Sequence, residues 1–270
     1  MKTVRRASEA EVIAEFLKNE FYLQEFHRDR DRFEQLVMHA DTSDERENAL
    51  RRALLFRRRG PMWRELPPDT QWWMVDLERS DLDRIYVFPR AYWRKIAAGN
   101  FALPTIVDRL RARGAAPVDS PNFVPADGRA PRTIQEFIAK IRSLNHRLRN
   151  QADAGAVLLI GTAEDRPMLI FEGNHRLTAA LLASPDAFRE RFRVFFGASP
   201  NMVRCCWYRT NFWNLLRYVR NRVLHLGYDR EADVDRVLRE LEAQPAAGYA
   251  SAIPASKVLP ESKSAPTKVS

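Results

Sequence analysis

The chain has 270 residues, is 45% hydrophobic and 29% charged, and carries a formal net charge of +9. This composition is typical of globular proteins, and the length can bury a sizeable core as one large domain or two small ones. No apolar run approaches the ~18 residues of a membrane-spanning helix, and the N-terminus shows no apolar stretch of the secretory-signal type. We therefore expect a cytoplasmic protein without a membrane partner.

The positive charge is concentrated in two segments. Residues 84–113 contain seven basic residues and one acidic residue, and residues 189–222 contain eight and one. Such a field attracts nucleotides, phosphorylated metabolites or a nucleic-acid backbone. The alternative is a set of hydrated helix faces without a partner. We favour a small anion over nucleic acid as the partner, because the sequence shows no helix pair of the DNA-reading type.

The pattern along the chain divides it into four parts. Residues 1–66 are predicted to form a helical N-terminal segment, because apolar residues recur there at helical spacing. Residues 67–208 are predicted to form the main domain, and residues 209–243 to form C-terminal helices packed on it. Residues 244–270 are rich in Ala, Pro, Ser and Lys, which predicts a disordered tail.

The first half of the main domain is predicted to contain short strands and helices. Pro and Gly residues predict a long loop over 115–131. Thr133 and Glu136 have capping-box spacing, which predicts a helix start. The predicted strands are Trp72–Val75 and Asp81–Phe88, and the predicted helices are Ala91–Ala97, Thr105–Arg113 and Ile134–Leu148.

A polar cluster lies between an apolar hairpin and an apolar helix. Val157–Ile160 and Met168–Phe171 have the pattern of paired strands, and Leu177–Ala183 has that of a helix. Between them stands Glu172-Gly173-Asn174-His175-Arg176. Free backbone N–H groups and the helix dipole favour an anion at a helix start, and glycine lets a phosphate approach the backbone. The cluster therefore predicts a phosphate site; the alternative is a capped helix after a hairpin.

These five residues resemble the phosphate-binding box of the ParB/sulfiredoxin superfamily, which has an acidic residue, a glycine, a variable residue, a basic residue and an arginine. Glu172 falls on the acidic position, Gly173 on the glycine, His175 on the basic position and Arg176 on the final arginine. The resemblance is strongest over 169–183 and extends over about 75–208. It implies an α+β fold, with a small mixed sheet and flanking helices.

The resemblance also implies roles for the box residues. Gly173, Asn174, His175 and Arg176 are expected to hold the phosphates of a nucleoside di- or triphosphate. Glu172 and His175 are the expected catalytic residues, with His175 as acid or base and Glu172 holding Mg²⁺ or a substrate hydroxyl. No cage of protein ligands for a metal is expected, because the sequence has no metal-binding Cys or His spacing.

The box departs from each branch of the superfamily in some respect. Sulfiredoxins have a reactive cysteine where this chain has Asn174. The free-serine kinases have a glutamate near the first strand, and Leu82–Val87 contains none. ParB proteins have a helix-turn-helix domain after the box, and none is evident here. We expect a nucleotide-dependent phosphotransferase, a kinase for instance, or a nucleotide hydrolase acting on a small molecule. A ParB-type DNA-associated regulator and a non-catalytic interaction protein remain open.

A second hairpin is predicted after the box. Its strands are Arg193–Phe196 and Val203–Tyr208, and the turn between them offers Ser199 and Asn201 as second-loop contacts to the site. Cys205 and Cys206 are expected to be buried strand residues, since a disulfide between neighbours is strained. The oligomeric state is left open by the sequence.

The C-terminal part is predicted to contain two helices. Asn211 is placed to cap the first and Gly227 to end it. Apolar residues at helical spacing predict that its stripe packs against the core. The stripe consists of Phe212, Leu215, Leu216, Val219, Val223 and Leu226, with Trp213 and Tyr218 as further packing residues. The second helix is predicted over Glu231–Leu241.

Overall fold

The computed structural model describes residues 1–21, 24–114, 133–150, 155–183, 192–227 and 229–243, with the backbone alone for residues 24, 25, 91 and 145–150. The predicted loop at 115–131 and the predicted tail at 244–270 lie outside the described residues.

The described residues contain one mixed sheet of six strands. The strands are β1 (Lys2–Ala7), β2 (Gln71–Asp76), β3 (Ile85–Tyr86), β4 (Ala156–Gly161), β5 (Met168–Glu172) and β6 (Arg193–Ala198). Their order in the sheet is β1-β2-β6-β4-β5-β3. Strand β4 runs parallel to β6 and antiparallel to β5, and β3 runs parallel to β5. Both pairings of β2, with β1 and with β6, are antiparallel.

Helices flank this sheet. None of the described helices is long and apolar enough to cross a membrane. The α-helices are α1 (Glu9–Glu20), α2 (Arg30–Met38), α3 (Glu45–Trp63), α4 (Ala91–Ala97), α5 (Leu103–Ala112), α6 (Ile134–Asn150), α7 (Asn174–Ala183), α8 (Phe212–Leu226) and α9 (Val234–Ala243).

The two faces of the sheet bury two separate hydrophobic cores, because successive residues of a strand point to opposite faces. In β4, Val157 and Leu159 pack in the core that includes α4, α5 and α7. Its Ala156, Leu158 and Ile160 pack in the core that includes α1 and α3. The central strands are therefore apolar on both faces, and every β4 residue is buried.

The structure confirms an α+β fold with a mixed sheet and flanking helices. Segment 1–66 contains α1, α2 and α3 as predicted, but it begins with β1, which the sequence did not predict. This strand is an edge strand whose first five residues are exposed, so it shows no alternation of apolar and polar side chains. Its place in the sheet depends on backbone pairing with β2. The ParB/sulfiredoxin-like topology stays a prediction.

The predicted strand at Val203–Tyr208 is wrong. Residues Pro200–Arg204 form a 3₁₀ helix, and a turn follows. The Ser199 hydroxyl accepts a hydrogen bond from the Asn201 N–H at 3.0 Å, and Pro200 occupies the first helical position. This local capping outweighs the apolar pattern. Both cysteines are buried as expected, but in a turn.

Candidate functional site

The polar box lies where the central hairpin meets α7. Strand β5 ends at Glu172, and α7 begins at Asn174. Gly173 joins them with a φ of +96°, a conformation that favours glycine. A β-carbon there would lie 3.1 Å from Cγ2 of Val157 on β4, so the turn also requires a small residue. The sequence placed the helix start three residues later, because Asn174, His175 and Arg176 are polar.

A cavity of about 500 Å³ opens in front of this turn. Four box residues line it: Glu172, Gly173, Asn174 and His175. The remaining walls come from distant parts of the chain, namely α1, α3, the segment around β3 and α4, the turn after the 3₁₀ helix Pro200–Arg204, and α8. Their chief side chains are Phe16, Glu20, Arg58, Arg59, Phe88, Arg90, Trp93, Trp207, Tyr218, Arg222 and His225.

Arg176 is not among the residues that line this cavity. Its Nη2 donates a hydrogen bond of 2.6 Å to Oε2 of Glu172 and one of 3.0 Å to the carbonyl of Ala156. Glu172 and Arg176 are four residues apart, and the side chains of such a pair are neighbours at a helix start. The arginine that the sequence offered to a phosphate therefore serves as the internal partner of the box carboxylate.

Glu172 and Glu20 form a pair of carboxyl groups at the cavity wall. Burial, and to a lesser extent the neighbouring Glu20 carboxyl, raise the pKa of Glu172 to about 7. Arg176 opposes this shift but does not cancel it. The far side of Glu20 is bound by Arg59, with Nη2 at 2.5 Å from Oε2. The result is a row Arg59–Glu20–Glu172–Arg176, in which Glu172 takes up or releases a proton near neutral pH.

His175 lies in an aromatic environment. Its ring centroid is 5.2 Å from that of Trp93 and 5.4 Å from that of Phe137. Burial lowers the pKa of His175 to about 3, and the positive charges of Lys140 and Arg176 act in the same direction. The imidazole is therefore neutral at physiological pH. It can donate or accept one hydrogen bond at the cavity, but it carries no charge to offset a phosphate.

Three buried polar atoms on cavity-lining residues have no hydrogen-bond partner within the described part of the chain. They are the Oδ1 acceptor of Asn174, the Nε1–H donor of Trp207 and the Nε–H donor of Arg58, whose Nη2 binds Asp29. The Nδ2 of Asn174 donates a long bond of 3.4 Å to the Ile170 carbonyl. A buried polar group without a partner costs free energy, so such groups are expected to have one in the working protein. A ligand with both a donor and an acceptor meets this need.

Four arginines line the cavity, and they differ in the groups that they contact. Arg58 binds Asp29 at 3.1 Å, and Arg59 binds Glu20. Arg90 lies over the ring of Trp207 at 4.8 Å, and Arg222 donates a long bond of 3.4 Å to the Tyr218 hydroxyl.

Neither Arg90 nor Arg222 pairs with a carboxylate among the described residues, and both are exposed. They are therefore the cations available to an anion in the cavity.

The predicted second-loop residues Ser199 and Asn201 lie elsewhere. Strand β6 is parallel to β4 and leads away from the end of the sheet at which β5 stops. Residues after β6 thus emerge at the opposite end from Glu172. There Ser199 Oγ donates a hydrogen bond of 2.8 Å to Asp69, and Asn201 Nδ2 donates one of 3.0 Å to the same carboxylate. Neither residue lines the cavity.

The sequence identified one wall of the cavity and missed the others. Arg90 and Arg222 belong to the two basic segments. The composition of these segments indicated an anion partner, but it did not show which arginines would face the cavity. The sequence contained no such indication for Glu20 and Trp207, because α1 and the turn after the 3₁₀ helix Pro200–Arg204 are far from the box along the chain. Trp207 lay in the predicted strand Val203–Tyr208, so its ring was not predicted to line a cavity.

Within the described part of the chain, no group of three or more His, Cys, Asp or Glu side chains is arranged so that it could hold a metal ion. The Glu20–Glu172 pair nevertheless supplies carboxylate oxygens, which Mg²⁺ prefers, and Mg²⁺ is commonly held by one or two carboxylates plus substrate phosphates. With both carboxylates ionised and two arginines beside them, the row is neutral. It therefore fits a metal ion that arrives with a phosphate better than one held by protein alone.

Comparison with known proteins gave no match for this chain among family models, curated proteins or solved structures.

Proposed function

We propose that the cavity binds a nucleotide or a similar phosphorylated small molecule, and that the protein is a nucleotide-dependent phosphotransferase or nucleotide hydrolase. The observation that carries this proposal is the set of free groups on the lining residues. Among the described residues, two arginines without a carboxylate partner, a donor and an acceptor without hydrogen-bond partners, and several aromatic rings line one cavity of about 500 Å³. Drug-sized and nucleotide-sized ligands occupy cavities of this size.

Arg90 and Arg222 support the binding of phosphate. A guanidinium group forms two parallel hydrogen bonds to phosphate oxygens, and such charge-assisted bonds are stronger than neutral ones. The N-terminus of α7, with the glycine turn before it, supplies backbone N–H groups at the same cavity. Neutral His175 can add one hydrogen bond but no charge.

The aromatic side supports the binding of a base or another planar group. Trp93, Trp207 and Tyr218 line the cavity, and a base stacks favourably on such rings. The Nε1–H of Trp207 and the Oδ1 of Asn174 are available to the polar edge of that group. A plain inorganic anion would leave the rings and the acceptor unused, so the proposal favours an organic phosphate.

Glu172 supports catalysis in addition to binding. A carboxyl group with a pKa near 7 can take up or release a proton at neutral pH, which is the requirement for a general acid or base. Phosphoryl transfer depends mainly on positioning and charge neutralisation. When bound, Mg²⁺ would neutralise phosphate charge, and Glu172 and Glu20 are the residues that would hold it.

A thermal-shift screen tests the binding step. We expect ATP, ADP, CTP or GTP with Mg²⁺ to raise the melting temperature, because a ligand bound only by the folded state stabilises it by mass action. Inorganic phosphate at the same concentration is the control for a simple ion effect. A shift as large with phosphate as with every nucleotide, or no shift at all, would contradict the proposal.

A salt series separates this function from the ParB-type, DNA-associated alternative. Affinity for duplex DNA falls with a log–log slope of about −0.9 per phosphate contacted. We expect weak duplex binding and a shallow slope for the nucleotide. Tight duplex binding with a slope steeper than about −4 would favour the DNA-associated function over the proposed one.

A further inference from the structure

Helix α8 is attached to the protein by its polar face. Asn214 Nδ2 donates hydrogen bonds to the carbonyls of Val203 at 2.9 Å and Arg209 at 2.6 Å. Asn221 Nδ2 donates one of 2.5 Å to buried Glu65. Arg217 lies 3.9 Å from that same carboxylate. A surface helix normally packs against the core through its apolar face, whereas α8 turns its polar face towards the protein.

The apolar stripe of α8 consequently faces outward. At the 3.6 residues per turn of an α-helix, six residues fall on one side and form a continuous ridge. All six are exposed, from 47% for Leu215 to 83% for Leu226, and Trp213 beside them is 74% exposed. The α8 ridge consists of Phe212, Leu215, Leu216, Val219, Val223 and Leu226. The sequence predicted this stripe correctly but assigned it to the core, since spacing does not reveal which face a helix turns inward.

The edges of the α8 ridge are basic. Arg220 lies along one edge and Arg222 along the other, and both are exposed. Arg204 and Arg209, also exposed, lie just before its N-terminal end. The helix itself contains no acidic residue. Contiguous exposed apolar surface of this kind marks an interaction site, and its edges select a negatively charged partner.

Charge disfavours two possible partners of the α8 ridge. A second copy of the chain would place arginines against arginines along the edges of paired α8 helices, without a carboxylate on either helix. The chain's own segment 244–270 has three lysines and one glutamate, so it does not complement a basic edge either.

The shape of the ridge favours lipid over an acidic protein. Its side chains protrude, with Phe212 at 70% and Val223 at 61% exposure. A bilayer interface receives a convex ridge without a matching groove. Aromatic and aliphatic residues on one face with arginines at the edges are the features of interfacial helices.

We infer that the outer face of α8 docks on the surface of an anionic lipid bilayer. The α8 ridge enters the headgroup region, and the exposed Arg204, Arg209 and Arg220, which lie outside the cavity, contact lipid phosphates. This revises the expectation of no membrane partner, which rested on the lack of a spanning segment, because an interfacial helix requires none. The inference does not depend on the proposed nucleotide function.

Co-sedimentation of the full chain with vesicles tests the inference. Vesicles of phosphatidylcholine with about a quarter phosphatidylglycerol are compared with phosphatidylcholine alone, since polybasic surfaces gain from anionic lipid. The ridge variant is Trp213→Ser/Leu216→Ser, and its control is Val4→Ser, which alters an exposed valine on β1. The charge variant is Arg220→Glu, and its control is Arg79→Glu, at an exposed position outside α8.

We expect the wild type and both controls to bind the anionic vesicles and to bind phosphatidylcholine weakly. The ridge variant should lose at least about tenfold in partitioning, because two large apolar side chains no longer enter the interface. Arg220→Glu should lose more than about fivefold. Circular dichroism should show intact helix in every variant.

Failure of the wild type to bind anionic vesicles would overturn the inference. Equal loss in the variants and their controls would also overturn it, because the attraction would then come from overall charge. If sedimentation velocity instead shows a dimer that Trp213→Ser/Leu216→Ser dissociates, the ridge is a self-association surface and the lipid assignment is wrong.

Discussion

The guanidinium of Arg176 binds the carboxylate of Glu172 at 2.6 Å, one helical turn away along the chain. Both side chains are 16% exposed, so this pair lies largely inside the protein. The box arginine therefore stabilises the turn on which the candidate site is built, and the charge available to a ligand comes from Arg90 and Arg222. Arg176 is thus paired inside the protein, whereas Arg90 and Arg222 are exposed.

Replacing Arg176 should destabilise the fold. Arg176→Ala leaves Glu172 largely buried beside Glu20 without its cation, and an uncompensated charge in such a place is costly. Because the pair retains some exposure, we expect a loss of about 1–3 kcal/mol in the free energy of unfolding, measured by urea titration. The control Arg111→Ala breaks an exposed pair with Asp108 and should cost about 0.5 kcal/mol or less. Equal effects of the two changes would contradict the internal role of Arg176.

The Glu172 carboxyl should make stability depend on pH in an identifiable direction. Its pKa is raised in the folded state, so the folded protein holds a proton that the unfolded chain has released. The free energy of unfolding should therefore fall as pH rises from the ordinary glutamate range near 4.5 to about 7. Glu172→Gln should remove this decrease, and Glu164→Gln, at an exposed position, should retain it.

His175 contributes with the opposite sign, which makes the two groups separable. Its pKa is lowered in the folded state, so its contribution is present above pH 6.5 and is lost as pH falls towards about 3. Urea titrations at several pH values on wild type and Glu172→Gln show the carboxyl part as their difference. A difference that does not change between pH 4.5 and 7 would disprove the raised pKa of Glu172.

Gly173 should tolerate alanine less well than another glycine of similar backbone conformation. Gly173 and Gly99 have φ angles of +96° and +91°, so alanine strains both by about 1 kcal/mol. A β-carbon at Gly99 meets nothing within 4 Å, whereas at Gly173 it lies 3.1 Å from Val157. Gly173→Ala should therefore cost about 1–3 kcal/mol more than Gly99→Ala in urea titration. Similar costs at both sites would show that the turn has room for a side chain.

Much of the fold follows from the sequence, because the central strands and helices have strong periodicity. The stripe of α1 and the β4–β5 hairpin are examples. The site follows only in part. The residue types in one short stretch of sequence identified Glu172 and its neighbours. The side chains that complete the cavity come from α1, α3 and α8, which tertiary packing brings to the box. The inward-facing polar side of α8 shows the same limit, since the contact of Asn221 with buried Glu65 joins residues far apart in the sequence.

Trp207 should behave differently from Trp63 when each is replaced by phenylalanine. Both are buried, but Trp63 Nε1 donates a hydrogen bond of 2.8 Å to Glu9, whereas Trp207 Nε1 has no partner in the parts of the chain that the structure describes. Trp63→Phe loses a hydrogen bond, and Trp207→Phe removes an unsatisfied donor. We expect Trp207→Phe to be less destabilising by about 0.5–1.5 kcal/mol without ligand, and to weaken nucleotide binding. Unfolding curves with and without nucleotide decide this, and unchanged nucleotide affinity in Trp207→Phe would remove the donor from the proposed site.

Calorimetric titration of the nucleotide that gives the largest thermal shift into wild type and Arg90→Gln/Arg222→Gln tests the central claim most directly. The matched control is Arg79→Gln/Arg220→Gln, which removes the same charge from exposed positions outside the cavity. A charge-assisted hydrogen bond contributes about 1.5–3 kcal/mol, so we predict at least about a tenfold loss of affinity in the cavity variant. The control should bind like wild type. Equal affinity of all three proteins, with folds intact, would contradict a phosphate site formed by Arg90 and Arg222.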